Sequence, residues 1–145
     1  MTEQATARVV RAALTEDPVS AAELARAVED RSAGAVVTVD GRVRDHDDGL
    51  AVAGITYSAH PSAERVLAAI AAELAVTPGL RAVGVTHRVG ELGVGDTALV
   101  VAVSADHRQE AFEALTQMVD EVKQRVPVWK CQHFADGSRQ WSNLG

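Results

Sequence analysis

The segment that ends a long helix and continues as a strand constrains this chain most. Pro127 cannot continue a helix, and it biases Val126 away from helical angles. We therefore expect Lys123 in the last helical turn and Lys130 in the extended run that follows. The chain can fold back at this break and bring both lysines to one pocket. A lysine near a helix C-terminus can also serve only to complement the helix dipole.

Lys130 is further distinguished by its neighbours. It lies between Trp129 and Cys131 in the predicted strand. An ammonium group in such a setting is partly desolvated, and desolvated lysines serve as bases in many proteins. Lys130 is therefore a candidate for acid and base chemistry.

Composition limits the classes of protein to consider. With 145 residues, 47% of them hydrophobic, the chain is predicted to form a single domain over residues 1–145. A net charge of −6 argues against general affinity for nucleic acid or anionic membranes. A local cluster of Arg, Lys and His then marks the place for an anionic ligand. The apolar runs are shorter than the roughly 20 residues of a membrane helix.

Cysteine usage and the N-terminal sequence indicate the compartment. Cys131 is the only cysteine, which excludes an intrachain disulfide. No N-terminal stretch has the basic, apolar and small-residue layout of a signal peptide. We therefore expect a cytoplasmic protein.

Hydrophobic periodicity and turn residues predict a mixture of helices and strands. Residues 7–14 fit a strand or a short helix, and periodicity does not decide between them. The other predicted elements are helices over about 21–29, over 61–76 with Pro61 as the first helical residue, and a long one to about Arg125; strands over 35–39 running into 41–46, over 50–57, 81–89 and 97–103; a turn at 47–49; a glycine-rich hairpin loop at 90–96; and a short strand beyond Trp129 with a turn at 135–137.

This order predicts the fold class. It contains hairpin-like strand pairs without regular βαβ alternation, which indicates an α+β fold with a largely antiparallel sheet and flanking helices. Ser104 or Asp106 is expected to cap the long helix. Its core-facing stripe is predicted to consist of Phe112, Leu115, Val119 and Val122.

Basic residues gather in three places: after the strand at 35–39, and at the two ends of the long helix. Arg42 and Arg44 are two residues apart, which places both side chains on one face of an extended chain. They could form a solvated edge or bind a ligand together. His107–Arg108 begins the long helix, where cations oppose the helix dipole unless an anion binds there. A simple surface pair is the alternative. The third cluster is Lys123 with Lys130.

Helix length constrains how these clusters can cooperate. At 1.5 Å per residue, the backbones of His107 and Lys123 are roughly 24 Å apart. One small ligand cannot touch both residues of one chain. If both serve one pocket, it lies where two subunits meet, and a two-fold dimer carries two such pockets.

Other catalytic motifs are missing from the sequence. It contains no Gly-x-Ser-x-Gly, no His-Glu-x-x-His and no cysteine pair, and its five histidines have no metal-ligand spacing. We therefore expect no metal site. Cys131 with His133 two residues on could act as a nucleophile and base, and the alternative is a half-buried structural thiol.

Several motifs in a fixed order resemble those of the MoaE family, the large catalytic subunits of molybdopterin synthase. The resemblance covers about residues 34–141. It is carried by Gly34-Ala-Val-Val, Gly41-Arg-Val-Arg-Asp-His46, His87-Arg-Val-Gly-Glu-Leu92 with Gly95-Asp96, Ser104-Ala-Asp-His-Arg108 followed by Ala111-Phe112, and Val122-Lys-x-Arg-x-Pro-x-Trp-Lys130 with Asp136-Gly137 and Trp141.

The resemblance implies an α/β hammerhead-like fold and a sulfurtransferase without metal or bound cofactor. It implies a homodimer in which each subunit binds a small ubiquitin-like sulfur carrier, giving a heterotetramer. The complex converts cyclic pyranopterin monophosphate to molybdopterin, with the carrier's C-terminal glycine thiocarboxylate as sulfur donor. Lys123 and Lys130 would be catalytic. The substrate contacts would be Arg42, Val43, Arg44, His107, Arg108, Lys123, Lys130, Cys131 and Gln132.

The sequence departs from the family pattern at a few positions. After Lys130 the family usually has a basic and then an acidic residue, where this chain has Cys131 and Gln132. No ubiquitin-like domain is fused to the chain, so the carrier is expected to be a separate protein. The alternative function is a non-catalytic dimer that binds a ubiquitin-like tail or an anionic metabolite.

Overall fold

The computed structural model describes residues 6–144, in which three helices and nine strands follow one another along the chain. The predicted single domain spans residues 1–145. Residues 1–5 and 145 lie outside the described residues. The elements are β1 (Arg8–Thr15), α1 (Ala21–Ala27), β2 (Ala35–Arg42), β3 (His46–Asp47), β4 (Leu50–Ala59), α2 (Ala63–Ala75), β5 (Leu80–Arg88), β6 (Gly90–Gly93), β7 (Thr97–Ala105), α3 (Arg108–Arg125), β8 (Val128–Phe134) and β9 (Arg139–Asn143).

A four-stranded sheet forms the centre of the molecule, in the order β1-β5-β7-β2. Strands β5 and β7 lie in the middle because both are nearly continuous runs of buried valine, alanine and other small residues. β1 pairs with β5 in parallel, which settles the open choice at residues 7–14 as a strand, and the other pairs are antiparallel. Helices α2 and α3 pack against this sheet, and Leu24 and Val28 lie over Ala82, Val100 and Ala102 in a second cluster.

A second sheet has the order β3-β4-β8-β9, and β6 also pairs with β4. All its pairs are antiparallel. Its own apolar cluster contains Val43, Val52, Ile55, Leu92, Ala98 and Phe134. The predicted α+β class with mainly antiparallel sheets and flanking helices is confirmed.

Two segments that were not predicted as strands form strands. Gly90–Gly93 was expected to belong to a hairpin loop, but it pairs with Gly54–Tyr57 as β6. The prediction failed because this pairing is with a strand more than 30 residues earlier, which no local signal reveals. The segment after the 135–137 turn likewise forms β9 against β8.

The starts of two helices were also mispredicted. Helix α2 begins at Ala63, so Pro61 lies in the preceding turn. The N-cap of α3 is His107, without a side-chain cap hydrogen bond. Both predicted caps are used elsewhere: Asp106 accepts a hydrogen bond from Nε of Arg81 at 2.6 Å, and Ser104 donates to the carbonyl oxygen of Val28 at 2.6 Å.

The buried face of α3 is rotated from the predicted stripe. Phe112 is 56% exposed, and Leu115 and Val119 are only partly buried, whereas Val122 is fully buried as expected. The small side chains at the start of the helix let it approach the sheet closely. The fully buried positions are Ala111, Ala114, Met118 and Val122.

Among residues 6–144, none of the helices is both long enough and apolar enough to cross a membrane.

Candidate active site

One pocket lies where the ends of several elements meet, at the C-terminal end of α3 and between the two sheets. Its volume is about 200 Å³. It brings together five of the nine predicted contact residues, from three separate parts of the chain. The lining residues are Gly41, Arg42, Arg44, His46, Ile55, Tyr57, His87, Ala98, Leu99, Val122, Lys123, Lys130, Gln132 and Leu144.

The two lysines reach this pocket because the chain reverses at Pro127, as predicted. Lys123 lies in the last turn of α3, which ends at Arg125. Val126 is extended, with φ of −76° and ψ of 121°, as expected for a residue before proline. Lys130 then lies on β8 directly opposite Tyr57 of β4. Lys123 is exposed at the rim and Lys130 is half-buried.

The pocket is strongly basic although the chain is acidic. Lys123 and Lys130 are the only two lysines of the sequence, and neither forms a salt bridge within residues 6–144. Among the described residues, no aspartate or glutamate lines the pocket. Two arginine and two lysine side chains therefore converge on one small volume, which is an arrangement suited to an anionic ligand.

The two arginines of the pocket are held at its rim by carboxylates outside it. Arg42 donates to Asp40 at 2.9 Å, and Arg44 lies 3.5 Å from Asp47. The hydrogen bond from Arg42 holds the pKa of Asp40 below its ordinary value, against the opposing effect of burial. Both arginine side chains are about two thirds exposed, at 64% and 65%. Exposed pairs of this kind are weak, so a phosphate can compete for the guanidinium groups.

His87 and Tyr57 are pocket residues that the sequence analysis did not assign. His87 is only 3% exposed, and its Nδ1 donates to the carbonyl oxygen of Arg88 at 2.7 Å. Its ring meets Tyr57 edge to face, with centroids 4.9 Å apart. Burial raises the pKa of Tyr57. His87 occurs in one of the motifs shared with the MoaE family, and that was the only signal available for it.

Burial also lowers the pKa of His87. The hydrogen bond to Arg88 opposes this effect, and the positive charge of Lys123 adds to it. The lowered pKa favours the neutral imidazole at neutral pH. The pocket thus combines the basic side chains with the neutral ring of His87.

Val43 and Cys131 do not line the pocket. Val43 is 3% exposed within the cluster of the second sheet, and its backbone N–H and carbonyl are hydrogen-bonded to Asp96 and Gly95. Cys131 is 2% exposed, more deeply buried than the half-buried thiol expected, on a strand paired on both sides. Their side chains point away because residues alternate along an extended chain. Gln132, one residue further, does line the pocket.

The suggested pairing of Cys131 with His133 is not seen. Nε2 of His133 lies 2.8 Å from Oγ1 of Thr56, on the neighbouring strand β4. Among residues 6–144, the thiol therefore has no positioned base, and it does not line the pocket.

His107 and Arg108 lie at the other end of α3, outside the pocket. Both are exposed and line a separate shallow surface with Phe112. With 18 residues in the helix, the rise per residue separates them from Lys123 by roughly 24 Å, as the sequence predicted. Within one chain they cannot act on a ligand in the pocket, so their assignment as contacts stays a prediction that requires a second subunit.

Within residues 6–144, no group of three or more His, Cys, Asp or Glu side chains could hold a metal ion.

Comparison with known proteins identifies the family. Residues 14–125 match the family described as MoaE protein. The molybdopterin synthase catalytic subunit of Nostoc sp. is 38% identical over 135 residues, covering 92% of this chain and 82% of that protein. A molybdopterin synthase crystal structure from Staphylococcus aureus has a TM-score of 0.82 and 30% identity, covering 90% of this chain and 95% of that chain.

A more distant structure has the same fold. It is a chain from the complex of subunits 1 and 2 of molybdopterin-converting factor from Helicobacter pylori, with a TM-score of 0.71 and 16% identity, covering 89% of this chain and 88% of that chain. The resemblance found in the sequence motifs is thus confirmed by relatives that match nearly the whole chain. This chain belongs to the MoaE family.

Proposed function

We propose that this chain is the catalytic subunit of a molybdopterin synthase. It transfers sulfur from the C-terminal thiocarboxylate of a ubiquitin-like carrier to cyclic pyranopterin monophosphate, giving molybdopterin. The observation that carries the proposal is the pocket in which Arg42, Arg44, Lys123 and Lys130 converge without a carboxylate among the described lining residues. Both reactants are anions, a phosphate and a thiocarboxylate, and family membership supplies the reaction.

The residues divide between binding and chemistry. Arg44 holds phosphate or pterin oxygens in the pocket, together with His107 and Arg108 supplied by a neighbouring subunit. Lys123 and Lys130 act on the thiocarboxylate and on the proton transfers that accompany opening of the cyclic phosphate. Their positions support this division: Lys123 is at the rim, where a carrier tail would enter, and Lys130 is deeper.

The proposed assembly is a two-fold homodimer with one carrier on each subunit. The separation of His107 from Lys123 along α3 supports a pocket completed by two chains. The Helicobacter pylori complex of subunits 1 and 2 supports a separate small partner. We place the reaction in the cytoplasm, because a reducing compartment keeps sulfur groups such as thiols and thiocarboxylates from oxidising.

Turnover tests this function. The chain is mixed with a thiocarboxylated ubiquitin-like carrier and cyclic pyranopterin monophosphate, and molybdopterin is measured over time. We expect more than one molybdopterin per active site while carrier remains in excess, and none when the carrier carries an ordinary carboxylate. Binding of both reactants without any product would instead indicate the non-catalytic alternative.

Cys131→Ala is expected to keep most of the activity, at least about half of the wild-type rate. The thiol is buried away from the pocket, and the sulfur comes from the carrier. Loss of the thiol removes a small buried group, so thermal unfolding is measured beside product formation. A folded but inactive variant would contradict the placement of Cys131 outside the reaction.

A further inference from the structure

The ring of His87 has a fixed orientation in the pocket wall. It lies near the end of β5 between Leu14 of β1 and Leu99 of β7, and it is 3% exposed. Nδ1 lies 2.7 Å from the carbonyl oxygen of Arg88. A carbonyl oxygen can only accept, so Nδ1 carries the hydrogen, and Nε2 of the neutral ring carries the lone pair.

Every charged group that faces this ring is basic. Burial of the ring lowers the pKa of His87, the bond to Arg88 opposes this effect, and the charge of Lys123 of α3 adds to it. Tyr57 of β4 contacts the ring edge to face. The ring therefore remains neutral at neutral pH. The titratable and charged groups that share the pocket with it are Arg42, Arg44, His46, Tyr57, Lys123 and Lys130.

Nε2 of His87 is open to the pocket. No hydrogen bond joins this atom to any residue within 6–144. In the same part of the chain, no buried side-chain nitrogen or oxygen lacks a partner. Because Nε2 of His87 has no partner there and is not among buried unpaired atoms, it must be accessible. The cavity that His87 lines is the active-site pocket.

We propose that Nε2 of His87 accepts a hydrogen bond from an N–H or O–H group of the bound pterin phosphate. This inference rests on the proposed function and assigns a specificity-determining residue to it. Arginine and lysine side chains only donate, so they suit phosphate oxygens but leave the donors of a pterin unpaired. A fixed acceptor pairs one of these donors and distinguishes a pterin phosphate from an anion that lacks them.

Two substitutions separate the two nitrogens of the ring. In His87→Asn the side-chain amide lies near the Nδ1 position, so it can keep the bond to Arg88 while the acceptor in the pocket is lost. His87→Gln reaches the Nε2 position and offers its carbonyl oxygen there. The probes are cyclic pyranopterin monophosphate and sulfate, because sulfate is an anion without a hydrogen-bond donor at neutral pH.

We expect His87→Asn to weaken binding of the pterin phosphate about 10-fold and to leave sulfate binding unchanged. His87→Gln should bind the pterin phosphate more tightly than His87→Asn does. Calorimetric titration of the dimer measures both ligands. Equal pterin affinity in His87→Asn and the wild type would overturn the inference, and so would a parallel loss of both ligands, which indicates a structural role.

The pH dependence of binding gives a second test, and its main comparison uses the wild-type protein with the two ligands. Burial lowers the pKa of His87, so the ring is protonated only at a pH below the ordinary histidine value; protonation turns Nε2 into a donor and adds a positive charge. Affinity for the pterin phosphate should therefore fall with decreasing pH while affinity for sulfate does not. The His87→Asn variant should lack the fall. Parallel behaviour of the two ligands in the wild type would contradict the assignment.

The outcomes also separate this inference from the proposed function. A wild-type protein that makes no molybdopterin with a competent carrier overturns the function. Normal wild-type turnover together with unchanged pterin affinity in His87→Asn overturns only the role of His87.

Discussion

Replacement of Lys123 or Lys130 by alanine is expected to lower the rate of molybdopterin formation by at least about 100-fold, as for positioned acid or base groups. The two are the only lysines of the sequence, and both line the same pocket from different elements. Neither has a salt-bridge partner among residues 6–144, so their removal leaves no carboxylate unpaired there. The variants should therefore fold normally. Product formation with excess carrier and substrate measures the effect.

Two controls distinguish charge from packing. Gln124→Ala changes the next residue of α3, whose side chain lies outside the pocket, and should retain the wild-type rate. Lys130→Met keeps most of the apolar stem of the half-buried side chain and removes only its charge. It should be as inactive as Lys130→Ala. Near-normal activity in both lysine-to-alanine variants would disprove the catalytic assignment.

Mixing two inactive variants is expected to restore about a quarter of the wild-type activity. Arg108→Ala and Lys123→Ala lie at opposite ends of α3, so in a two-fold dimer they damage the same pocket only if it is built from both chains. In a mixed dimer, one pocket carries both lesions and the other carries neither. Random reassortment of equal amounts makes about half of the dimers mixed, each with one intact pocket of two.

The experiment requires proof that mixed dimers are present. The two variants are co-expressed with different affinity tags, the doubly tagged dimer is purified, and product formation is measured with the carrier. The doubly tagged dimer alone should reach about half of the wild-type rate by the same counting. No recovery in that sample would mean that each pocket is built within one chain, and that the placement of His107 and Arg108 is wrong.

The sequence alone determined the features that depend on local chemistry. Proline has no N–H and restricts the residue before it, so the break at Pro127 between Lys123 and Lys130 was predictable. Helix rise is constant, so the separation of His107 from Lys123 followed from counting residues. Strand alternation placed Arg42 and Arg44 on one side of the chain, and both line the pocket.

Tertiary structure decided which side chains actually meet. The strand β6 exists only because Gly90–Gly93 pairs with a distant part of the chain, and the buried face of α3 was chosen by contact with the sheet. His87 was one of five scattered histidines in the sequence. Its burial between β1 and β7 and its contact with Tyr57 depend on strands far apart in sequence. Local propensity contains no information on such contacts, because their energy depends on packing between elements.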